Sequence, residues 1–288
     1  MYYGGIETGG TKMICAVGDG DGNIMGRVKI PTGMPDNTIP EMIDFFKTWD
    51  IKALGIGSFG PLDLKKNSVT YGQILNTPKE GWDGCDLVGQ FERALGVPVA
   101  LDTDVNVAIL GEVKYGAAKG CESAIYITVG TGIGVGVFVS DRLLHGLTHP
   151  ESGHILVERN PRDNFAGCCK CHRNCLEGLA SGVALEKRYG VKAEKLYDRE
   201  DVWELESDYL ASAITNYILA YSPEKIVLWG GVMHQEKIFD MIREKAKKLL
   251  GGYITSPVFD NMADYIVKPG LGDDSGIVGA CELAKMGV

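Results

Sequence analysis

A strand, a turn of glycine and threonine and a second strand open the chain, and 121 residues later the same pattern returns. Tyr3-Gly4-Gly5-Ile6-Glu7-Thr8 runs into Gly9-Gly10-Thr11-Lys12 and then Met13-Ile14-Cys15-Ala16-Val17. Ala124-Ile125-Tyr126-Ile127-Thr128-Val129 runs into Gly130-Thr131-Gly132-Ile133-Gly134 and then Val135-Gly136-Val137-Phe138-Val139. Gly9 falls on Gly130 and Ile6 on Ile127. Little identity survives between the halves, but the repeated order of strand, hairpin and strand predicts a duplicated α/β architecture.

The remaining pattern alternates as α/β chains do. A further turn, Asp19-Gly20-Asp21-Gly22-Asn23, leads into a strand over 24–30. Met42, Phe45, Phe46 and Trp49 form a helical stripe over 38–49, with Pro40 in its first turn. Strands are expected over 53–57, 97–101 and 225–229, and helices over 86–95, 103–113, 175–189, 201–221, 236–250 and 275–286. No linker separates the halves. A small first domain is expected over 1–117 and a larger second one over 118–274, divided near Gly116–Gly120, with the last helix (275–288) packing back on the first domain.

Composition narrows the function. The net charge of −9 argues against a nucleic-acid surface, because phosphate neutralisation needs clustered Lys and Arg. No run of 18 apolar residues is present to span a membrane, and no basic, then apolar, leader opens the chain. A cytoplasmic protein is therefore expected. Eight cysteines in 288 residues are too few for a disulfide scaffold. Cys15, Cys85, Cys121 and Cys281 sit among apolar neighbours and read as buried thiols. Cys168, Cys169, Cys171 and Cys175 crowd together, which suits a metal.

Gly9-Gly10-Thr11-Lys12 is no Walker loop, since Thr precedes Lys and a strand follows. No Gly-x-Gly-x-x-Gly opens a helix after a strand, which disfavours a dinucleotide fold. Two matched hairpins with free backbone N–H groups and threonine hydroxyls can instead cradle phosphates as nests. Either hairpin alone also reads as ordinary turn chemistry. Ile226–Trp229 ending in Gly230-Gly231 is a buried strand whose glycines let a flat ligand approach, or a tight turn into a helix.

Together, Glu7–Lys12, Gly130–Gly134 and Leu228–Gly231 resemble the phosphate-1, phosphate-2 and adenosine motifs of the sugar kinase and actin-like ATPase superfamily. Within it the chain resembles the ROK family (repressor, open reading frame, kinase) from residue 3 to about residue 284. The resemblance is to its bacterial fructokinases at Gly5-Ile6-Glu7, Asn76-Thr77-Pro78-Lys79 with Gly81-Trp82, Leu144-His145-Gly146 and His149-Pro150-Glu151. It implies a duplicated actin-like, ribonuclease H-like fold with the active site in the cleft between two α/β domains. It implies ATP-dependent phosphorylation of a hexose, most simply D-fructose to fructose 6-phosphate, with Mg²⁺ accompanying ATP. Gly9, Gly10, Thr11, Lys12, Gly130, Thr131, Gly132, Gly134, Gly230 and Gly231 would then hold the nucleotide. Many ROK glucokinases carry Asp where this chain has Glu7, and Asn where it has Thr103.

Phosphoryl transfer needs alignment, charge neutralisation and a carboxylate to accept the hydroxyl proton. Asp102-Thr103-Asp104-Val105-Asn106 opens a helix after a strand, where the dipole holds a carboxylate as an anion. Either aspartate also reads as a helix cap, and the family pattern, running on to Leu110-Gly111-Glu112, favours Asp104 as base. His154 and the Cys169-x-x-His172-x-x-Cys175 knot supply four nitrogen and sulfur ligands, the number of a structural Zn²⁺. Cys168 and Cys171 compete by position, and the fructokinase-like pattern selects His154, Cys169, His172 and Cys175. The resemblance further places Asn76, Thr103, Asp104, Glu151, His154 and Glu177 against the sugar and implies a homodimer. Asn76 and Glu177 also read as ordinary turn and first-turn residues. Rival acceptors are glucose, mannose and an acylated hexosamine. A sugar-sensing repressor of the same family is disfavoured, since the sugar-binding body is expected to start at residue 3 and the chain is acidic.

Overall fold

In the computed structural model, which describes residues 1–77 and 79–287, the two hairpins each seed a five-stranded sheet. Pro78 of the Asn76–Lys79 motif and Val288 of the expected last helix lie outside the described residues. Strands β1 (Tyr2–Thr8), β2 (Lys12–Gly18), β3 (Ile24–Pro31), β4 (Ile51–Ser58) and β5 (Val99–Thr103) order as β3-β2-β1-β4-β5. Strands β6 (Ser123–Val129), β7 (Ile133–Val139), β8 (Arg142–Leu143), β9 (Lys225–Trp229) and β10 (Ile266–Val267) order as β10-β9-β6-β7-β8. Read from the other edge, the second sheet repeats the first strand for strand. In each, the opening strand is antiparallel to its hairpin partner and parallel to the strand on its other side. Thr8 pairs with Met13 and Val129 with Ile133, so the glycine turns sit at the hairpin tips.

Several elements depart from the sequence expectation for local reasons. Helix α1 (Pro35–Lys47) starts three residues early because Pro35 takes the first turn, whose N–H groups need no partner. Pro40 therefore lies inside the helix, and Trp49 lies beyond it, edge-on to Tyr2. Strand β5 starts at Val99 because Pro98 has no N–H to give the ladder. Helices α2 (Leu87–Leu95) and α3 (Asp104–Tyr115) follow expectation within a few residues. The single helix expected over 175–189 is two, α4 (Leu176–Ala180) and α5 (Gly182–Tyr189). Ser181 between them is extended (φ −77°, ψ 163°) and caps α5 by accepting the Ala184 N–H. The chain continues through α6 (Glu200–Tyr221), α7 (Lys237–Leu250), α8 (Met262–Tyr265) and α9 (Ser275–Met286). No helix among the described residues is long and apolar enough to cross a membrane.

Helices α3 and α9 trade sheets. Helix α3, which leaves the first sheet, packs on β6 and β7 of the second, while α9, at the chain end, packs on β1 and β4 of the first. They pack on each other more extensively than any other pair of elements. The close approach comes from glycine: a Cβ on Gly279 would lie 1.7 Å from the Val107 carbonyl oxygen, and one on Gly111 2.5 Å from that of Ser275. Buried Glu112 locks the crossing, accepting the Ala117, Gly270 and Leu271 N–H groups and the Ser275 hydroxyl. Gly279→Ala meets backbone that no rotamer change relieves. It is expected to cost about 3 kcal/mol, the upper range for overpacking, read as a lower urea midpoint. An unchanged midpoint would contradict this packing.

Candidate active site and metal centre

Both hairpins contribute to one groove made of two adjoining cavities, the first through Glu7 and Lys12 on either side of its tip and the second through Gly130 and Thr131 at its tip. The first, of about 450 Å³, takes in Glu7, Lys12, Asp104, Thr128, Gly230 and Gly231. The second, of about 670 Å³, takes in Gly130, Thr131, Glu186, Tyr197, Gly231 and Gln235. Gly231 and His234 line both, and each cavity is of small-ligand size. Gly230 has φ 110°, and a Cβ there would lie 2.5 Å from the Val129 carbonyl, so only glycine allows the β9 end to turn against β6. The break at Ser181 frees the Gly182 N–H to bind the Gly130 carbonyl at 2.7 Å, joining the start of α5 to the second tip. Of the other expected nucleotide contacts, Gly9, Gly10 and Thr11 form the first tip without lining either cavity. Gly132 lies against the Glu177 carboxylate, and Gly134 against the Val105 side chain.

The two aspartates at the start of α3 separate in role. Asp102 is buried with both oxygens engaged: Oδ1 accepts the Thr103 N–H and the Asn106 amide, and Oδ2 meets His145 Nε2 at 2.9 Å. That pairing raises the His145 pKa above its ordinary value. Thr103, not an aspartate, caps α3 by accepting the Asn106 N–H. Asp104 lines the 450 Å³ cavity and uses Oδ1 on the Val105 N–H at 2.9 Å. Desolvation pushes its pKa up to about 6, with Glu151 adding to the rise and the Val105 N–H opposing it. Glu7, in the same cavity, is raised to about 7 by burial and then by Asp104, and its Oε2 is buried without a partner. An orphaned buried carboxylate oxygen beside a second carboxylate fits a hard cation such as the Mg²⁺ of a nucleotide complex.

Across the cleft, Glu177 Oε2 accepts the Ile133 N–H at 3.0 Å, while Oε1 stands 3.8 Å from His154 Nε2. Glu151 acts on Asp104 and stands 3.5 Å from His149 Nδ1. The structure thus draws Asp104, Glu151, His154 and Glu177 to one region. Asn76 is exposed on its turn, with φ 47° and its N–H on Asp83, and it lines neither cavity.

His154, Cys169, His172 and Cys175 place one ligand atom each within 4.8 Å of one another. Cys169 Sγ lies 3.8 Å from both His154 Nδ1 and His172 Nδ1, and Cys175 Sγ lies 3.6 Å from His154 Nδ1. Tetrahedral zinc at ordinary Zn–S and Zn–N lengths separates such ligands by about 3.6 Å, so the four residues fit that ion. Cys168 faces the Ser181 hydroxyl instead, and Cys171 is exposed. Burial raises the Cys175 thiol to about 11, so a thiolate there depends on the cation it binds.

The sequence profile of the ROK family matches residues 3–286. The chain belongs to the ROK family. A protein of Bacillus subtilis (strain 168) is 50% identical across 98% of this chain and 94% of its own length. The fructokinase of Pediococcus pentosaceus is 43% identical across 99% of this chain and 98% of its own. Among solved structures, a ROK hexokinase from Thermus thermophilus superimposes with a TM-score of 0.83 at 29% identity, covering 99% of this chain and 98% of that one. The duplicated sheets are therefore the actin-like ATPase fold of ROK kinases.

Sequence reasoning passed over several residues of this ROK-family site. His149 is buried and accepts the Leu62 N–H through Nε2, so Nδ1 carries its proton toward Glu151. This histidine pins the Glu151 loop to the first half. Its sequence signal was the His149-Pro150-Glu151 motif, which carries no indication of burial. Gly182 and Gln235 were likewise unremarked, because only tertiary contact brings them to the groove.

Proposed function

We propose that this ROK-family chain is a fructokinase, transferring the γ-phosphoryl group of ATP to D-fructose and releasing fructose 6-phosphate and ADP. The observation that carries the reading is Asp104 lining a groove to which both hairpins contribute residues, with Glu151, His154 and Glu177 gathered beside it. Relatives bearing the name fructokinase at 40–43% identity over most of the chain support the acceptor.

Adenosine would lie in the 670 Å³ cavity against Gly230 and Gly231, with its phosphates running toward Lys12 between the tips. Glu151, Glu177 and the Nε2 proton of His154 would hold the sugar hydroxyls, and the Thr103 hydroxyl can still donate its own proton. Asn76 would reach the sugar as the cleft closes. The free Asp104 oxygen would accept the 6-hydroxyl proton while the fructose 6-oxygen bonds to the γ-phosphorus and the bond from that phosphorus to the β-phosphate oxygen breaks. Closure keeps water from competing as acceptor. Glu7, with its buried unpartnered oxygen, would help to hold Mg²⁺, which neutralises phosphate charge. His154, Cys169, His172 and Cys175 would hold zinc, which fixes the His154 ring and leaves Nε2–H for the sugar.

The same reading takes 1–117 with the last helix as one moving domain and 118–274 as the other, in a cytoplasmic homodimer. A hexose panel assayed with Mg-ATP tests it: kcat/KM for fructose is expected to exceed that for glucose, mannose and N-acetylmannosamine. A larger value for any of those would overturn the substrate assignment.

A further inference from the structure

Lys79 reaches across from a separate loop to the tip of the first hairpin. Its Nζ donates to the Gly10 carbonyl at 2.6 Å and to the Gly9 carbonyl at 3.2 Å, some 70 residues away in sequence. The hold is prepared by its surroundings. The ammonium sits 4.8 Å from the centre of the Phe59 ring. The loop behind it is anchored by buried Trp82, whose Nε1 donates to the Gly33 carbonyl at 3.0 Å and whose ring meets Phe59 edge-on. Thr32 Oγ1 also donates to the Gly9 carbonyl, so that peptide is held from two sides. Burial lowers the Lys79 pKa, so the protein spends desolvation energy to keep a cation here.

We propose that Lys79 is a positioning residue for phosphoryl transfer, one that turns the first hairpin's amides toward the triphosphate. In a trans peptide the C=O and N–H point in opposite directions. The Gly9 carbonyl shares its peptide with the Gly10 N–H, and the Gly10 carbonyl shares its own with the Thr11 N–H. Drawing two successive carbonyls to one ammonium turns two successive N–H groups to the opposite side. Successive N–H groups so aligned form a concave anion site. Without the ammonium, the Thr32 hydroxyl alone holds the Gly9 carbonyl, and glycine leaves the Gly10 peptide free to rotate. Because Lys79 follows the Asn76 loop, the same contact ties the sugar side of the cleft to its phosphate side.

This rests on the kinase reading, and the test separates the two. Nucleotide affinity is measured by calorimetry for AMPPNP, a non-hydrolysable ATP analogue, and for AMP, in wild type and in Lys79→Met, which keeps the stem and loses the charge. Lys79→Gln is read in the same way. The expected result is AMPPNP binding weakened about tenfold or more, the loss of a charge-assisted hydrogen-bond set, with AMP binding changed less than about twofold. In the steady state kcat should fall and KM for ATP rise, while KM for fructose holds. Wild-type protein that binds no AMPPNP would strike the kinase reading itself. Wild-type binding together with unweakened AMPPNP binding in both variants, or an equal loss for AMP, would overturn the role of Lys79.

Discussion

Asp104→Asn is expected to lower kcat by about 10³-fold, within the range for loss of a general base, while the affinities for AMPPNP and fructose stay within a few fold. The amide preserves shape and can still accept the Val105 N–H, so geometry survives and proton acceptance does not. Wild-type kcat/KM should rise with pH through about 6, where Asp104 loses its proton, and the variant should lack that limb. The stability consequence has the opposite sign. A carboxylate raised from 3.8 to about 6 in the folded state contributes stability below its ordinary pKa that is lost as pH rises through about 6. Removing the charge at pH 8 should therefore leave the protein no less stable. A variant with near-normal turnover, or one unfolded at pH 8, would contradict this account.

Cys169→Ser is expected to remove zinc and weaken fructose binding about ten- to a hundredfold, the effect of disturbing the shell that aims a ligand. The coupling runs through His154, whose Nδ1 faces Cys169 and Cys175 while Nε2 faces Glu177. On the proposed reading, loss of the ion would release both the tautomer and the ring orientation. Cys175→Ser should do the same with a larger loss of stability, because Cys175 is fully buried and its sulfur also caps α4 by accepting the Gly178 N–H. Cys171→Ser, at an exposed sulfur outside the cluster, is the control and should retain the metal. Elemental analysis and fructose KM on the three variants decide the matter. Full zinc content in Cys169→Ser, or an unchanged KM without zinc, would contradict the link.

The hairpins and their duplication were legible because short apolar segments on either side of a glycine turn are local signals, and β1–β2 and β6–β7 form there. The four-ligand cluster was legible for a similar reason, since three of its members lie within seven residues. The break at Ser181 was not, because an apolar stripe continues through it and only a tertiary bond from Gly182 to Gly130 makes the extended turn worthwhile. Nor was the packing of α3 on the second sheet and against α9, which depends on glycines meeting backbone from far along the chain, although the last helix was expected to return to the first half. Glu112 was quoted for its pattern alone. Its role as acceptor for four donors around the crossing exists only in three dimensions. His149 and Lys79 belong to the same class: a histidine that accepts a backbone N–H and a lysine that gathers carbonyls look like any others in sequence.

The most direct test of the central claim is a crystal structure of the protein soaked with fructose and AMPPNP. The account predicts the β- and γ-phosphates between the Gly9–Lys12 and Gly130–Gly132 tips, with an Asp104 oxygen within hydrogen-bond reach of the fructose 6-hydroxyl. Fructose seated instead in the separate 590 Å³ cavity beside His145 and Leu62, or a triphosphate bound away from either tip, would contradict it.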